Sequence, residues 1–119
     1  MYGLPDDLAL PSFSGACLLQ VAIGQHQVQL CFDGDNRSVS IESRYAVIAP
    51  GCGREEFTSM PAGAAKLAAL LGVHLEYVSG TRDGTLMLNF DTGTHVVIFD
   101  DSTHYESYQI HDGDRLIVV

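Results

Sequence analysis

The chain has 119 residues, of which 46% are hydrophobic and 18% charged; this excludes a disordered polymer and suits one domain burying roughly 65% of its unfolded surface. Fifteen acidic against six basic residues give a formal net charge of -9, a field that repels nucleic acid and anionic membranes and attracts basic partners. No apolar run is long enough for a membrane-spanning helix, no signal-peptide pattern opens the chain, and three cysteines without close spacing point to reduced thiols in the cytoplasm.

Residues 1–15, with Gly3, Pro5, Asp6-Asp7, Pro11 and Gly15, read as an irregular lead-in. Cys17-Leu-Leu-Gln-Val-Ala-Ile23 alternates, so a first strand is expected with Cys17, Leu19, Val21 and Ile23 on one apolar face. Gly24-Gln25 turns into a second strand over 26–33, where Val28, Leu30 and Phe32 share a face. Asp33-Gly34-Asp35-Asn36 closes a hairpin, since these residues tolerate left-handed turn conformations. A third strand covers 37–43, and the short apolar run Ala46-Val-Ile-Ala49 stops at Pro50-Gly51.

From Pro50 to Met60 the Gly and Pro content predicts a loop, after which the period changes. Ala64, Leu67, Ala68 and Leu71 fall at i, i+3, i+4 and i+7, one stripe of a helix over about 61–71. Thr58 or Ser59 suits its cap, Pro61 its first turn and Gly72 its stop. The outer side is mostly alanine with Lys66, so the helix is expected to lie flat on a sheet. Further strands follow at 73–79, 84–91, 94–99, about 105–111 and 115–119, with Ser79-Gly80, Asp91-Thr92-Gly93 and Asp112-Gly113-Asp114 as turns. The unbroken apolar run Leu116-Ile-Val-Val119 predicts a strand covered on both faces.

One pattern occurs twice. Val28-Gln-Leu30-Cys-Phe32-Asp33 returns 58 positions later as Leu86-Met-Leu88-Asn-Phe90-Asp91. Each copy precedes a polar turn and a second alternating run, Arg37-Ser-Val39-Ser-Ile41 and His95-Val-Val97-Ile-Phe99. Each reads as a hairpin with one apolar face, and the two faces can be buried together. The expected fold is therefore α+β, a single domain over 1–119. A mainly antiparallel β-sheet is built from two similar β-meander halves, about 17–49 and 73–119, with one helix between them. Two small sheets packed face to face and one long curled sheet both satisfy the pattern.

No chemical signature accompanies this plan. The five histidines make no helix pair and the cysteines no C-x-x-C, so no metal site and no cofactor is expected; His104 and Glu106 form at most a two-ligand fragment. Cys52, in Gly51-Cys52-Gly53-Arg54, is a flexible loop thiol with a cation beside it, but a thiol enzyme also needs a positioned base. Asp100-Asp101 ends a strand, where adjacent side chains point to opposite faces and cannot converge on one bond. Tyr105-Glu106-Ser107-Tyr108 pairs aromatic rings with an acid, a combination that serves binding surfaces. Between Arg82 and Arg115 stand Asp83, Asp91, Asp100, Asp101, Glu106, Asp112 and Asp114, acids that can gather along one rim. Nucleic-acid binding is not expected, because the six basic residues form no stripe.

The carboxy-terminal half resembles an uncharacterised bacterial domain family. The resemblance rests on a leucine-bearing helix end (Leu67, Leu70-Leu71-Gly72), on Asp83-Gly84-Thr85-Leu86-Met-Leu88-Asn-Phe90-Asp91-Thr92-Gly93, and on Tyr105-Glu106-Ser107-Tyr108. The family pattern has Trp where Tyr108 stands and a glycine pair where this chain has Asp112-Gly113-Asp114. It implies no activity and no catalytic residue. In size, acidity and β-rich character the chain is also similar to cytosolic immunity proteins that neutralise bacterial toxins.

Three functions emerge as expectations. The first is a non-enzymatic binding protein of the immunity or inhibitor type. It would occlude a basic toxin domain such as a nuclease through Asp100, Asp101, Tyr105, Glu106 and Tyr108. The second is a small cytosolic enzyme using Cys52 or a carboxylate. The third is a self-associating module, a homodimer paired through strand 115–119.

Overall fold

The computed structural model describes residue 10 and residues 13–34, 36–100 and 107–119. Among the described residues ten strands form two antiparallel five-stranded sheets. In chain order they are β1 (Leu18–Ile23), β2 (Val28–Phe32), β3 (Arg37–Ile41), β4 (Tyr45–Ala49), β5 (Gly53–Phe57), β6 (Leu75–Gly80), β7 (Leu86–Phe90), β8 (His95–Ile98), β9 (Tyr108–Asp112) and β10 (Arg115–Val118). A 3-10 turn at Pro61–Gly63 leads into α1 (Ala64–Ala68), between β5 and β6. The fold is thus α+β, with two antiparallel sheets and one short helix.

The sheets do not divide the chain into its halves. One runs β1-β2-β3-β9-β10 and the other β5-β4-β8-β7-β6. Each half supplies a three-strand meander to one sheet and a following hairpin to the other. The crossovers are 42–44 and the connection from β8 to β9, of which residues 99, 100 and 107 are described. Alternation drives the closure: Val28, Leu30, Phe32, Val39, Ile41 and Ile110 from one sheet, and Leu86, Leu88, Phe90, Val96, Ile98 and Val47 from the other, are all buried. Phe32 stacks on Phe90 across the interior with ring centroids 6.5 Å apart, and Phe13 meets Phe32 edge-on at 5.8 Å. The two repeat copies therefore bury their apolar faces against each other, as the sequence pattern requires.

A local two-fold relation is visible where the halves touch. Cys17 and His74, equivalent positions, form an antiparallel bridge. The Leu18 N–H donates to Val73 O at 3.0 Å and the Leu75 N–H to Ala16 O at 2.8 Å. Both β1 and β6 carry a register shift just after this point, between Leu18 and Gln20 and between Leu75 and Tyr77.

That shift corrects the expected face of β1 in its first part. A bulge inserts one residue and re-aims the side chains on one side of it relative to the other. Before it Leu18 is buried and Leu19 62% exposed, whereas beyond it Val21, opposite Leu30, packs against the core on the expected face and Ile23, opposite Val28 at the strand end, is 46% exposed. Cys17 is half-buried rather than part of the core. A second correction concerns β8. The β2–β3 hairpin pairs Phe32 with Arg37, but the β7–β8 hairpin pairs Asn89 with His95. The second loop is one residue tighter, so Val96 and Ile98, not Val97 and Phe99, match Val39 and Ile41. One residue of register exchanges the faces of a strand.

Three further expectations change. The stretch expected as a loop contains β5, which pairs with β4 along its whole length from Tyr45–Phe57 to Ala49–Gly53. Being an edge strand with little buried surface, β5 has no apolar alternation to betray it. The helix is shorter than 61–71, with no side-chain cap at either the 3-10 turn or α1. Beyond Ala68 the chain turns, so Leu67 and Leu70 are buried while Leu71 is 47% exposed. Finally, β10 is an edge strand, with Ile117 inward and Leu116 53% exposed. It is not covered on both faces. Among the described residues no helix is long and apolar enough to cross a membrane.

Candidate functional site

The two crossovers lie side by side and build one corner of the molecule. The Glu42 N–H donates to Ser107 O at 3.0 Å and the Phe99 N–H to Arg44 O at 3.2 Å. Between them the Ser43 hydroxyl donates to Phe99 O at 3.1 Å and lies 3.4 Å from Ser107 O. Chain segments that switch sheets leave their ladders, so side chains must satisfy the backbone groups. Ser43 does so here.

Acidic groups gather on this corner. Asp100 is half-buried and accepts a hydrogen bond from the Ser107 hydroxyl at 2.9 Å. It packs on Gly84 of the β6–β7 turn, where a β-carbon would overlap its carboxylate and φ is +93°. Asp83, exposed in the same turn, accepts bonds from the Thr81 hydroxyl and, at 3.1 Å, the Thr85 N–H. Those donors, Thr81 first, hold its carboxyl below the ordinary carboxylate range. Glu42 is half-buried and accepts from the Gln109 side chain at 3.2 Å.

Of the residues expected to bind a partner, Asp100 lies on this corner. Asp101, Tyr105 and Glu106 fall outside the described residues. Tyr108 is a correction. It is fully buried beneath the corner, and its hydroxyl donates to Gly84 O at 2.6 Å. Burial, then the charges of Asp100 and Asp83, push its phenol well above the usual tyrosine value. Tyr108 supports the corner from inside and presents no surface to a partner.

The expected single rim of acids is also revised. Asp83 and Asp100 lie at the crossover end. Asp91, Asp112 and Asp114 lie at the opposite end, in or beside the β7–β8 and β9–β10 turns. There the Asn36 side chain donates to Gly113 O at 2.8 Å, which ties the β9–β10 turn to the β2–β3 turn.

Two groupings are not legible from residue order. On the outer face of the second sheet, Arg44 lies 3.9 Å from the Phe99 ring centroid and Arg54 5.3 Å from it. Both guanidiniums pair with Glu56. The mixed signs of Arg54-Glu55-Glu56 hint at pairing, but simple alternation puts Phe99 on the core side. The second grouping is Asn89 with His95. The Asn89 amide nitrogen, 3.3 Å from both Tyr77 O and Met87 O, donates to these carbonyls. That fixes the amide, so its oxygen faces His95 Nδ1 at 2.7 Å. Nδ1 is therefore the donor in that hydrogen bond. The only hint in the sequence is a polar residue where the first repeat has Cys31.

The other candidates are dispersed. Cys52 is exposed in the β4–β5 turn, its N–H donating to Ala49 O at 3.1 Å. Cys31 is half-buried, and burial raises its thiol above the ordinary value. Lys66 on α1 bonds Glu55 at 3.0 Å, which raises its ammonium pKa. Among the described residues no group of three or more His, Cys, Asp and Glu side chains is placed to hold a metal ion. His104, half of the weak ligand fragment, lies outside them.

Residues 10–119 match a family described as "Family of unknown function (DUF6188)", and the chain belongs to it. The match covers both repeat copies, whereas the sequence resemblance reached only the second. No curated protein and no solved structure matches.

Proposed function

We propose that this member of the DUF6188 family is an acidic binding protein of the immunity or inhibitor type, acting in the cytoplasm on a basic toxin domain, a nuclease being the favoured partner. The observation that carries the reading is the net charge of -9, combined with the acids Glu42, Asp83 and Asp100 around the crossovers. Such a charge accelerates encounter with a cationic surface and discriminates between partners. Asp101, Tyr105 and Glu106 follow Asp100 in the sequence and are the residues to test beside it. A basic active site covered by this corner would lose access to its anionic substrate.

The test uses purified cationic toxin nucleases encoded beside genes of this family. Capture is expected to inhibit cleavage. The association rate should fall on the order of tenfold between low and high salt, as exposed charges are screened. Asp101→Arg with Glu106→Arg should slow association further without altering the circular dichroism. An association rate indifferent to salt, or no inhibition of any such nuclease, defeats the reading.

A further inference from the structure

Four strands form the edges of the two sheets, and three of those edges are guarded. β1 and β6 are each bulged and meet at the Cys17–His74 bridge. β5 presents Arg54, Glu55 and Glu56, paired with Arg44 and Lys66. Bulges, charges and covering contacts are the usual means by which edges avoid pairing with other chains.

β10 carries a single charge, Arg115 at its turn end, and among the described residues it has no bulge and no covering strand. Its register with β9 runs unbroken from Arg115–Asp112 to Val118–Gln109, and β9 is its only strand neighbour among the described residues. Leu116, Ile117 and Val118 carry no charge, and Leu116 is 53% exposed. The hydrogen-bond phase is set by Val119. Its N–H donates to Tyr108 O at 3.0 Å and the Tyr108 N–H donates to Val119 O at 3.2 Å. In an antiparallel ladder bonded pairs alternate, so Ile117 also bonds inward to β9. The N–H and C=O groups of Leu116 and Val118 consequently point away from the sheet.

We infer that β10 pairs antiparallel with β10 of a second copy about a two-fold axis at Ile117. In that register Leu116 stands opposite Val118 of the partner copy, and Val118 opposite Leu116. All four outward groups on each strand are then engaged, every donor meeting an acceptor. Leu116 and the facing Val118 share the outer face and cover each other, while Ile117 stays in each core. The occupant this edge requires is extended, uncharged over three residues and in matching phase. β10 itself meets each condition. The β1-β2-β3-β9-β10 sheets of the two copies become one ten-stranded sheet across the dimer.

The inference is independent of the toxin partner and answers oppositely to salt. Each copy carries -9, so screening should tighten a dimer held by backbone bonds and apolar contact, whereas it weakens capture of a cation. Sedimentation velocity of the full chain from about 1 µM to about 1 mM, the range suited to a small interface, should show monomer passing to dimer. The transition should move to lower concentration as salt rises. Leu116→Lys changes an exposed side chain, so it should leave the circular dichroism intact while weakening the dimer at least tenfold. Amide exchange should show Leu116 and Val118 protected at high concentration and open at low. A chain monomeric at every concentration, as when some other segment or protein occupies this edge, overturns the inference. So does a Leu116→Lys variant that dimerises like the parent.

Discussion

Tyr45 and Tyr108 hold corresponding places in the two exchanged hairpins, each opening the strand that enters the other half's sheet. Both are fully buried, and both spend their hydroxyl on a backbone carbonyl, Met60 O at 3.0 Å and Gly84 O at 2.6 Å. Tyr108→Phe removes the donor and strands the carbonyl, so it should cost about 1–3 kcal/mol in a denaturant melt. Burial raises both phenols above the ordinary value of 10.0. The native state therefore keeps protons that the unfolded chain releases. This stability is fully present below about pH 10 and is lost as pH rises further, by up to roughly 1.4 kcal/mol per pH unit for each tyrosine. Tyr108→Phe should flatten that alkaline slope; an unchanged slope would contradict the burial argument. At Gly84, alanine would need a strained positive φ and would collide with Asp100. Gly84→Ala should lower the melting temperature and also disturb the corner that Asp100 helps to form.

Elements are decided by register as much as by propensity. The β7–β8 loop is one residue tighter than its counterpart, and this turns Ile98 inward and Phe99 outward. Ile98→Ala should therefore cost about 2–5 kcal/mol through the cavity it leaves. Phe99→Ala should cost less, despite the larger side chain, because Phe99 is half-buried under Arg44 rather than in the core. A reversed order in chemical denaturation would refute this register. Asn89 makes the same point with a polar group. It is 1% exposed and directs its amide hydrogens at Tyr77 O and Met87 O. Asn89→Asp sets a carboxylate oxygen against those carbonyls, so a loss of about 1–3 kcal/mol is expected.

At the scale of the whole molecule, exchange of hairpins between sheets makes the halves interdependent. Neither sheet can be completed from one half, since β9 and β10 finish the first and β4 and β5 the second. Unfolding should be a single transition, with far-ultraviolet dichroism and tyrosine signals superimposing. A plateau between two transitions would mean that the halves stand alone. The charge of the whole chain belongs to this scale too, and it governs encounter with partners rather than internal packing.

The amino-acid order alone determined the kinds of element and their apolar sides. Val28, Leu30, Phe32 and their copies at Leu86, Leu88 and Phe90 alternate strictly, and burial followed the alternation. Most hairpin turns were marked by Gly, Asp and Asn, because few residues accept their backbone angles. The family resemblance was legible in the second repeat. β5 was hidden because an edge strand buries little and needs no apolar pattern, and the face of β1 before its bulge was hidden because a bulge leaves no mark in residue type. Of the expected binding patch, Asp100 reached a surface corner, while Tyr108 went inside, where its ring is buried in the core and its hydroxyl donates to Gly84 O. Only the tertiary structure decided which strand joined which sheet. Such pairings join residues far apart in the chain, and their backbone hydrogen bonds are the same whichever partner is chosen.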